Sequence, residues 1–267
     1  MDVSTASATR YATDEYVATY LHAEWWDLLF PADGTGAGIE PRQARSVSES
    51  GPGSFYRQLG EVVERWVRGL AIDAAALCDV GGSTGRMTHE LAARFPDATE
   101  RMLVEPSSRF CQWAARLLLH ETFDGWVPEP ADSGRPGYRK LDRDRLPVVT
   151  PFLSIHNTTA AGVPRPQEHF DVVTCLNVVD RVEDPRELVS EVGRLVKPAG
   201  LLVLASPHHF TANFTPTARW VTDLRDLLDP AEWTVDDREC AARYDFTYYR
   251  RHSGHFISQV VGAVRKS

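Results

Sequence analysis

A doubly wound α/β fold, a mostly parallel sheet covered by helices on both faces, is the fold class this sequence predicts, and three observations carry that prediction. An apolar run ending in Asp79 opens at once into Gly81, Gly82, Ser83, Thr84 and Gly85, a strand that turns tightly into a helix as such folds do where they hold nucleotide-like ligands. A second short apolar run over 101–105 ends in Glu105, about 20 residues on, where these folds place an acid at the second strand's end. The continuous apolar runs at 170–178 and 200–207 read as strands buried on both faces.

The other elements follow in chain order. Residues 9–30 set Tyr16, Tyr20, Leu21, Trp25, Leu28 and Leu29 at helical spacing, which predicts an amphipathic helix with Asp14 as its N-cap. Its aromatic load (Tyr11, Tyr16, Tyr20, Trp25, Trp26) makes these rings candidates for lining a substrate pocket, a plain core role being the alternative. Rich in Gly, Ser and Pro, 31–54 reads as a flexible joining loop. A helix over about 55–71 leads into the strand at 76–80, and further helices are expected over about 85–95 and 107–120. The proline-rich stretch 121–168 holds one short strand candidate near 148–155 and is otherwise expected to be irregular. A helix over about 185–196 separates the last two parallel strands, and YDFTYYRR and HFISQVVGAV flank Ser253-Gly254 as a closing antiparallel hairpin. The chain thus divides into an N-terminal helical extension and loop, 1–54, and one α/β domain, 55–267, with an insertion at about 121–168.

Composition narrows the function. With 267 residues, 43% hydrophobic and 25% charged, the chain is long enough for one such domain. A formal net charge of −8 argues against a nucleic-acid substrate, which needs a basic face. No apolar run approaches a membrane span and the N-terminus lacks a basic segment followed by an apolar one, so a cytoplasmic protein without membrane contact is expected. Cys78, Cys111, Cys175 and Cys240 are scattered, and His252 and His255 lack acidic or cysteine partners nearby, so no metal site is expected.

The glycine turn points to a cofactor. Each glycine is read as removing a Cβ that would hold a ligand off the backbone, and the helix starting near Arg86 can offer free N–H groups to a carboxylate. Its G-G-x-x-G spacing is neither G-x-G-x-x-G nor the G-K-[ST] ending of a phosphate loop. The turn resembles the first motif of class I S-adenosylmethionine (SAM) methyltransferases. That resemblance implies a Rossmann-like seven-stranded sheet, S-adenosylhomocysteine as product, and a cofactor held by Asp79, Gly81, Gly82, Ser83, Thr84, Gly85 and Arg86, with Glu105 on the ribose hydroxyls beside Pro106 and Ser107.

Ligands in open α/β sheets bind beyond the carboxyl ends of the strands, so the segment after 170–176, Asn177-Val178-Val179-Asp180-Arg181, faces the transferred methyl group. Asn177, also placed at the cofactor, and Asp180 can accept the N–H of a nitrogen nucleophile, and Asp180 can act as general base. A helix cap and salt bridge formed by Asp180 and Arg181 ahead of Pro185 is the alternative. His208 and His209 are candidates for a base or for the pocket wall, and Phe210, Phe214 and Trp220 for rings stacked on an acceptor or packed in the core.

The string CLNVVDRVEDPRELV resembles the corresponding segment of ovothiol-type 4-mercaptohistidine N-methyltransferases and of protein-histidine N-methyltransferases. The first group is also resembled by YATDEYVATYLHAEW, VGGSTGRMTHELAARF, VEPSSRFCQWA, LLVLASPHHFTANFTPTARW and RHSGHFISQVVGAVRK. The resemblance implies methyl transfer to an imidazole nitrogen of histidine, a histidine-like small molecule or a peptide residue, with Tyr11, Tyr16, Tyr20, Trp25, Arg181, His209 and Phe210 around the acceptor. Two further readings stay open: O-methylation of a carboxylate or hydroxyl, and a non-catalytic binding module.

Overall fold

The computed structural model describes residues 13–29, 54–120, 123–131, 136–141, 147–236, 240–249 and 252–267. At the centre of its main sheet lies β1 (Ala76–Val80), whose five residues are all buried. β2 (Glu100–Val104) and then β5 (Leu153–His156) run parallel to it on one side, and β6 (Phe170–Leu176) and β7 (Val196–Ser206) on the other. Antiparallel β10 (His252–Arg265) and β8 (Trp233–Val235) complete the order β5-β2-β1-β6-β7-β10-β8. This is the expected seven-strand path, and β9 (Cys240–Tyr249), paired on β10, adds an eighth strand. The switch point falls between β1 and β6, so the ends of these two strands share one crevice.

Both faces are covered as the apolar runs require. On one, Val189 and Val192 of α5 (Pro185–Gly193) pack with Phe210, Leu224 and Trp233 over Val173, Cys175, Leu202 and Leu204. On the other, Phe55, Leu59 and Val63 of α2 (Ser54–Gly69) and Met87 and Leu91 of α3 (Arg86–Arg94) pack over Leu77, Val172 and Val203. Dispersion contacts, individually weak and collectively large, hold strands this apolar between two layers.

Helix α1 (Asp14–Leu29) departs from the expected amphipathic form. Val17, Leu21, Trp25 and Leu29 pack against Phe110, Trp113 and Leu117 of α4 (Ser108–Leu118) and against Val127, while Thr19, His22 and Glu24 are buried as well. The helix is wedged between β9 and a two-stranded antiparallel ribbon, β3 (Trp126–Glu129) with β4 (Gly137–Lys140). That ribbon lies in the stretch read as irregular. Pro128 is accommodated because a two-stranded ribbon leaves outward N–H positions unused. The cap of α1 is Thr13, whose Oγ1 accepts the Tyr16 N–H at 3.4 Å. Asp14 instead pairs with Arg109 and accepts the Tyr138 hydroxyl at 3.0 Å, tying α1 to α4 and β4.

The C-terminal hairpin does more than close the sheet. Ser253 and Gly254 sit inside the β9–β10 ladder opposite Thr247 and Phe246, so the turn read at these residues is instead a pair of ladder positions. β10 pairs with β7 only from Gln259, opposite Ser206, onward. Residues 252–258 therefore run past the carboxyl edge of β7, and the β9–β10 hairpin overhangs the crevice. No described helix is long and apolar enough to cross a membrane.

Candidate active site

The glycine turn is shaped by the protein's own packing. Gly81 has φ +71°, and a Cβ there would lie 2.3 Å from Val178 Cγ2. A Cβ on Gly82 would lie 2.8 Å from Leu103 and 2.9 Å from Asp79 Oδ2, and one on Gly85 would meet Leu118 at 2.6 Å. These glycines let the turn pass between β2, α4 and the 177–181 segment. Contact between Gly81 and Val178 also brings the two sequence motifs together.

Buried acids brace this turn. Asp79, 2% exposed, accepts the Thr88 hydroxyl at 2.9 Å and the Thr174 hydroxyl at 2.8 Å; burial nevertheless pushes its pKa up to about 6. Glu105 Oε2 accepts the Ser83 N–H at 3.1 Å and Oε1 the Ser107 N–H at 2.8 Å, and burial pushes this group up to about 7 against those bonds. Ser107 caps α4 by accepting the Phe110 N–H. Asn157, after β5, donates to the carbonyls of Glu105 and Pro106 at 3.0 and 2.9 Å, a brace visible only once β5 is placed beside β2.

Other predicted residues have different surroundings. Arg86, 1% exposed, donates to Asp27 at 2.5 Å, to Glu90 at 2.6 Å and to the Glu24 carbonyl at 2.8 Å, so its side chain faces α1 rather than the crevice. Trp25 is fully buried, and its Nε1 donates to Thr84 Oγ1 at 2.9 Å. It braces the glycine turn from α1. Tyr11 lies outside the described residues. Tyr20 packs between Phe110 and Phe246 with ring centroids 4.9 and 5.1 Å away, and Tyr16 lies four residues earlier on the same helix, half-buried.

Sequence reasoning missed Glu24. It is 1% exposed; Oε2 accepts the Thr84 hydroxyl and, at 3.3 Å, the Thr84 N–H, while Oε1 has no hydrogen-bond partner. Ser83 Oγ, on the same turn, is likewise buried and unpartnered. A Glu amid helical apolar residues carries no local sign of burial.

On the other side of the crevice, Asn177 has φ +57°, and its Oδ1 accepts the Ser258 hydroxyl at 2.9 Å while its buried Nδ2 lacks a partner. The amide as oriented offers a donor rather than the expected acceptor. Asp180 is 0% exposed, and neither carboxylate oxygen has a partner in hydrogen-bond geometry. Burial raises its pKa, opposed by Arg181, whose Nη1 lies 3.2 Å from Oδ2. The helix cap of α5 is Asp184, accepting from the Arg186 and Glu187 N–H groups, so Asp180 is not the cap of that helix. Arg181 also donates to the His209 carbonyl at 2.8 Å and lies 5.5 Å from the Phe214 ring, locking the 208–214 loop over the site. His209 is exposed beside Phe256, ring centroids 5.3 Å apart.

Two predicted residues are occupied elsewhere. The His208 ring nitrogens lie 3.2 Å from the Val221 carbonyl and 2.9 Å from Gln259 Oε1, so both are turned toward protein groups. Phe210 is buried and stacked on Trp220 at 6.0 Å, a core contact.

A crevice at the switch point, an acid at the end of β2 and a buried carboxylate after β6 are the features of the class I SAM-dependent methyltransferase fold. A family model described as a methyltransferase domain matches residues 55–255, and the chain belongs to that family. It is 29% identical over 120 residues to a ubiquinone biosynthesis O-methyltransferase of Cereibacter sphaeroides (strain ATCC 17029 / ATH 2.4.9), covering 40% of this chain and 48% of that protein. The chain thus spans about half the length of the curated relatives it matches. Among solved structures it is similar to magnesium protoporphyrin IX methyltransferase from Synechocystis PCC 6803 with bound SAM, at TM-score 0.54 and 14% identity over 100% of this chain and 98% of that one. It is also similar to the N-methyltransferase NodS from Bradyrhizobium japonicum WM9, at TM-score 0.53 and 13% identity over 80% and 97%.

The residues present fit SAM, whose sulfonium and ammonium are both cationic. Asp79, Glu105 and Glu24 are buried acids lifted by desolvation, and added positive charge nearby lowers the cost of ionising them. Glu105 can take the ribose hydroxyls, and the unpartnered Ser83 Oγ and Glu24 Oε1 face the turn where the methionyl end belongs.

Proposed function

We propose that this methyltransferase acts on nitrogen, on the imidazole of histidine, of a histidine-like small molecule or of a peptide residue. The observation that supports this most is Asp180, a carboxylate with no exposed surface and no hydrogen-bond partner, in the segment that touches the glycine turn. Arg181, 3.2 Å from Oδ2, offsets part of the cost of burying this charge, and a ligand that donates a hydrogen bond would complete it. Neutral imidazole suits it: one nitrogen carries the N–H that Asp180 accepts, which leaves the lone pair of the other free for the methyl group. When bound, SAM supplies an electrophilic methyl on sulfur, whose bonding pair stays on sulfur as S-adenosylhomocysteine is formed. Asp180 then takes the proton that the methylated ring gives up, a step that its burial-raised pKa favours. Tyr20, Phe246 and Phe256 supply an aromatic wall for a flat ring.

Similarity to a ubiquinone O-methyltransferase favours a second reading, in which Asp180 takes the proton of a hydroxyl. To separate the two, the protein is incubated with SAM and a panel of imidazole, amine, phenol and carboxylate compounds, and a mass gain of one methyl is located by NMR. Methylation of an imidazole nitrogen is expected; turnover of phenols or carboxylates without any imidazole overturns the proposal.

A further inference from the structure

Helix α1 lies outside the segment that the family model matches, 55–255, yet it brings a carboxylate to the glycine turn. Glu24 reaches that turn from a position 60 residues earlier. One oxygen is held by both the N–H and the hydroxyl of Thr84, which fixes the carboxyl plane, and the other is buried without a partner. The groups around it carry no compensating charge. Ser83 and Thr84 face it from the turn, Glu105 from the end of β2, Tyr56 from α2 and Tyr244 from β9. Arg86, the nearest cation on α3, donates to the main-chain carbonyl of Glu24 and spends its other N–H groups on Asp27 and Glu90. An anion here lacks a cation, and the cofactor's amino-acid end carries one.

We propose that α1 completes the cofactor site, with Glu24 as the anionic partner of the methionyl ammonium, and that cofactor binding expels the proton the Glu24 carboxyl holds beforehand. Burial, opposed by the bonds from Thr84 and by the nearby Ser83 hydroxyl, pushes the free carboxyl up to about 8, so at neutral pH it is mostly protonated. An ammonium at the open oxygen stabilises the carboxylate and the proton leaves to solvent. Binding of the amino-acid end therefore strengthens as pH rises toward 8. This rests on the SAM assignment and not on the acceptor proposed above.

The test compares S-adenosylhomocysteine with 5′-methylthioadenosine, which keeps the adenine and ribose but lacks the amino-acid end. Calorimetry at pH 7 in buffers of different ionisation enthalpy counts the protons released. Protons shed by Glu105 on meeting the ribose appear with both ligands; the excess with S-adenosylhomocysteine, approaching one proton, reports Glu24. Glu24→Gln is expected to abolish that excess and to weaken S-adenosylhomocysteine about 10- to 100-fold, with 5′-methylthioadenosine changed less than about 3-fold. Equal proton release by the two ligands, or equal weakening of both by the substitution, overturns the proposal. If the variant fails to fold, the wild-type proton counts decide alone. Binding of neither ligand to the wild-type protein overturns the SAM assignment itself, and with it this proposal.

Discussion

The two walls of the crevice treat buried polar groups in opposite ways. On the cofactor wall, Asp79 and Glu105 each accept two donors from the protein's own hydroxyls or N–H groups, and the glycines are packed against side chains. On the acceptor wall, both oxygens of Asp180 and the amide nitrogen of Asn177 are buried without a well-formed hydrogen bond, and Asp180 has only the ion pair with Arg181. The first wall is a finished surface that holds its shape before any ligand arrives. The second carries an unmet desolvation cost, which a bound acceptor can relieve. Glu24 belongs to the first wall by position and to the second by its open oxygen.

Asp180→Asn is the strongest way to break this contrast. It is expected to lower kcat by about 10²–10³ while the Kd for S-adenosylhomocysteine changes little, because the group acts on the acceptor's proton. Unfolding free energy should change little, since Arg181 loses its ion pair but keeps its bond to the His209 carbonyl and its access to water; a large loss in urea unfolding would mean that the Arg181 contact is structural support. Next comes Gly81→Ala, which forces a Cβ into positive φ and into Val178. We expect a loss of about 2–4 kcal/mol in unfolding free energy, partly restored when Val178→Ala is added. If the variant keeps full stability and loses only cofactor affinity, the turn is shaped by its ligand after all.

A third test uses pH on the free protein. Asp79, Glu105 and Glu24 are raised by burial to about 6, 7 and 8, so the folded state binds more protons than the unfolded chain between about pH 4 and 8. Unfolding free energy should therefore fall as pH rises through that window, by at least about 2 kcal/mol in total. Saturating S-adenosylhomocysteine should flatten the slope, because its ammonium favours an ionised carboxylate. A stability that climbs from pH 5 to 8 without ligand would contradict the burial of these groups. The smallest effect expected is that of Trp25→Phe, which removes the bond to Thr84 Oγ1 at about 1 kcal/mol. Steady-state kinetics should show an unchanged KM for the acceptor; a marked rise would return Trp25 to the acceptor pocket.

Much of the cofactor wall was readable from residue order. Asp79, the glycines and Glu105 are strand ends, and strand ends announce themselves by where apolar runs stop. The parallel runs 170–176 and 200–206 were legible for the same reason. Short or proline-containing strands were not: β3, β4 and β8 have three or four residues each and carry too few positions to show a period. The hairpin was legible as an element, but its turn was placed inside the ladder, since Ser-Gly is a turn signal that the aromatic pairing across β9 and β10 overrides. His208 and Phe210 looked functional because they follow a strand end, and their partners Val221, Gln259 and Trp220 lie in other elements.

By itself the sequence determined the alternation of strands and helices, the acids at two strand tips and hence the kind of cofactor, because each depends on residues within one local segment. Only the tertiary structure decided which polar groups are satisfied and which are left open. Glu24 meets Thr84 across 60 residues and Ser258 meets Asn177 across 81. Whether a buried carboxylate is a brace or a binding group depends on how many donors reach it, and those donors are assembled by the fold.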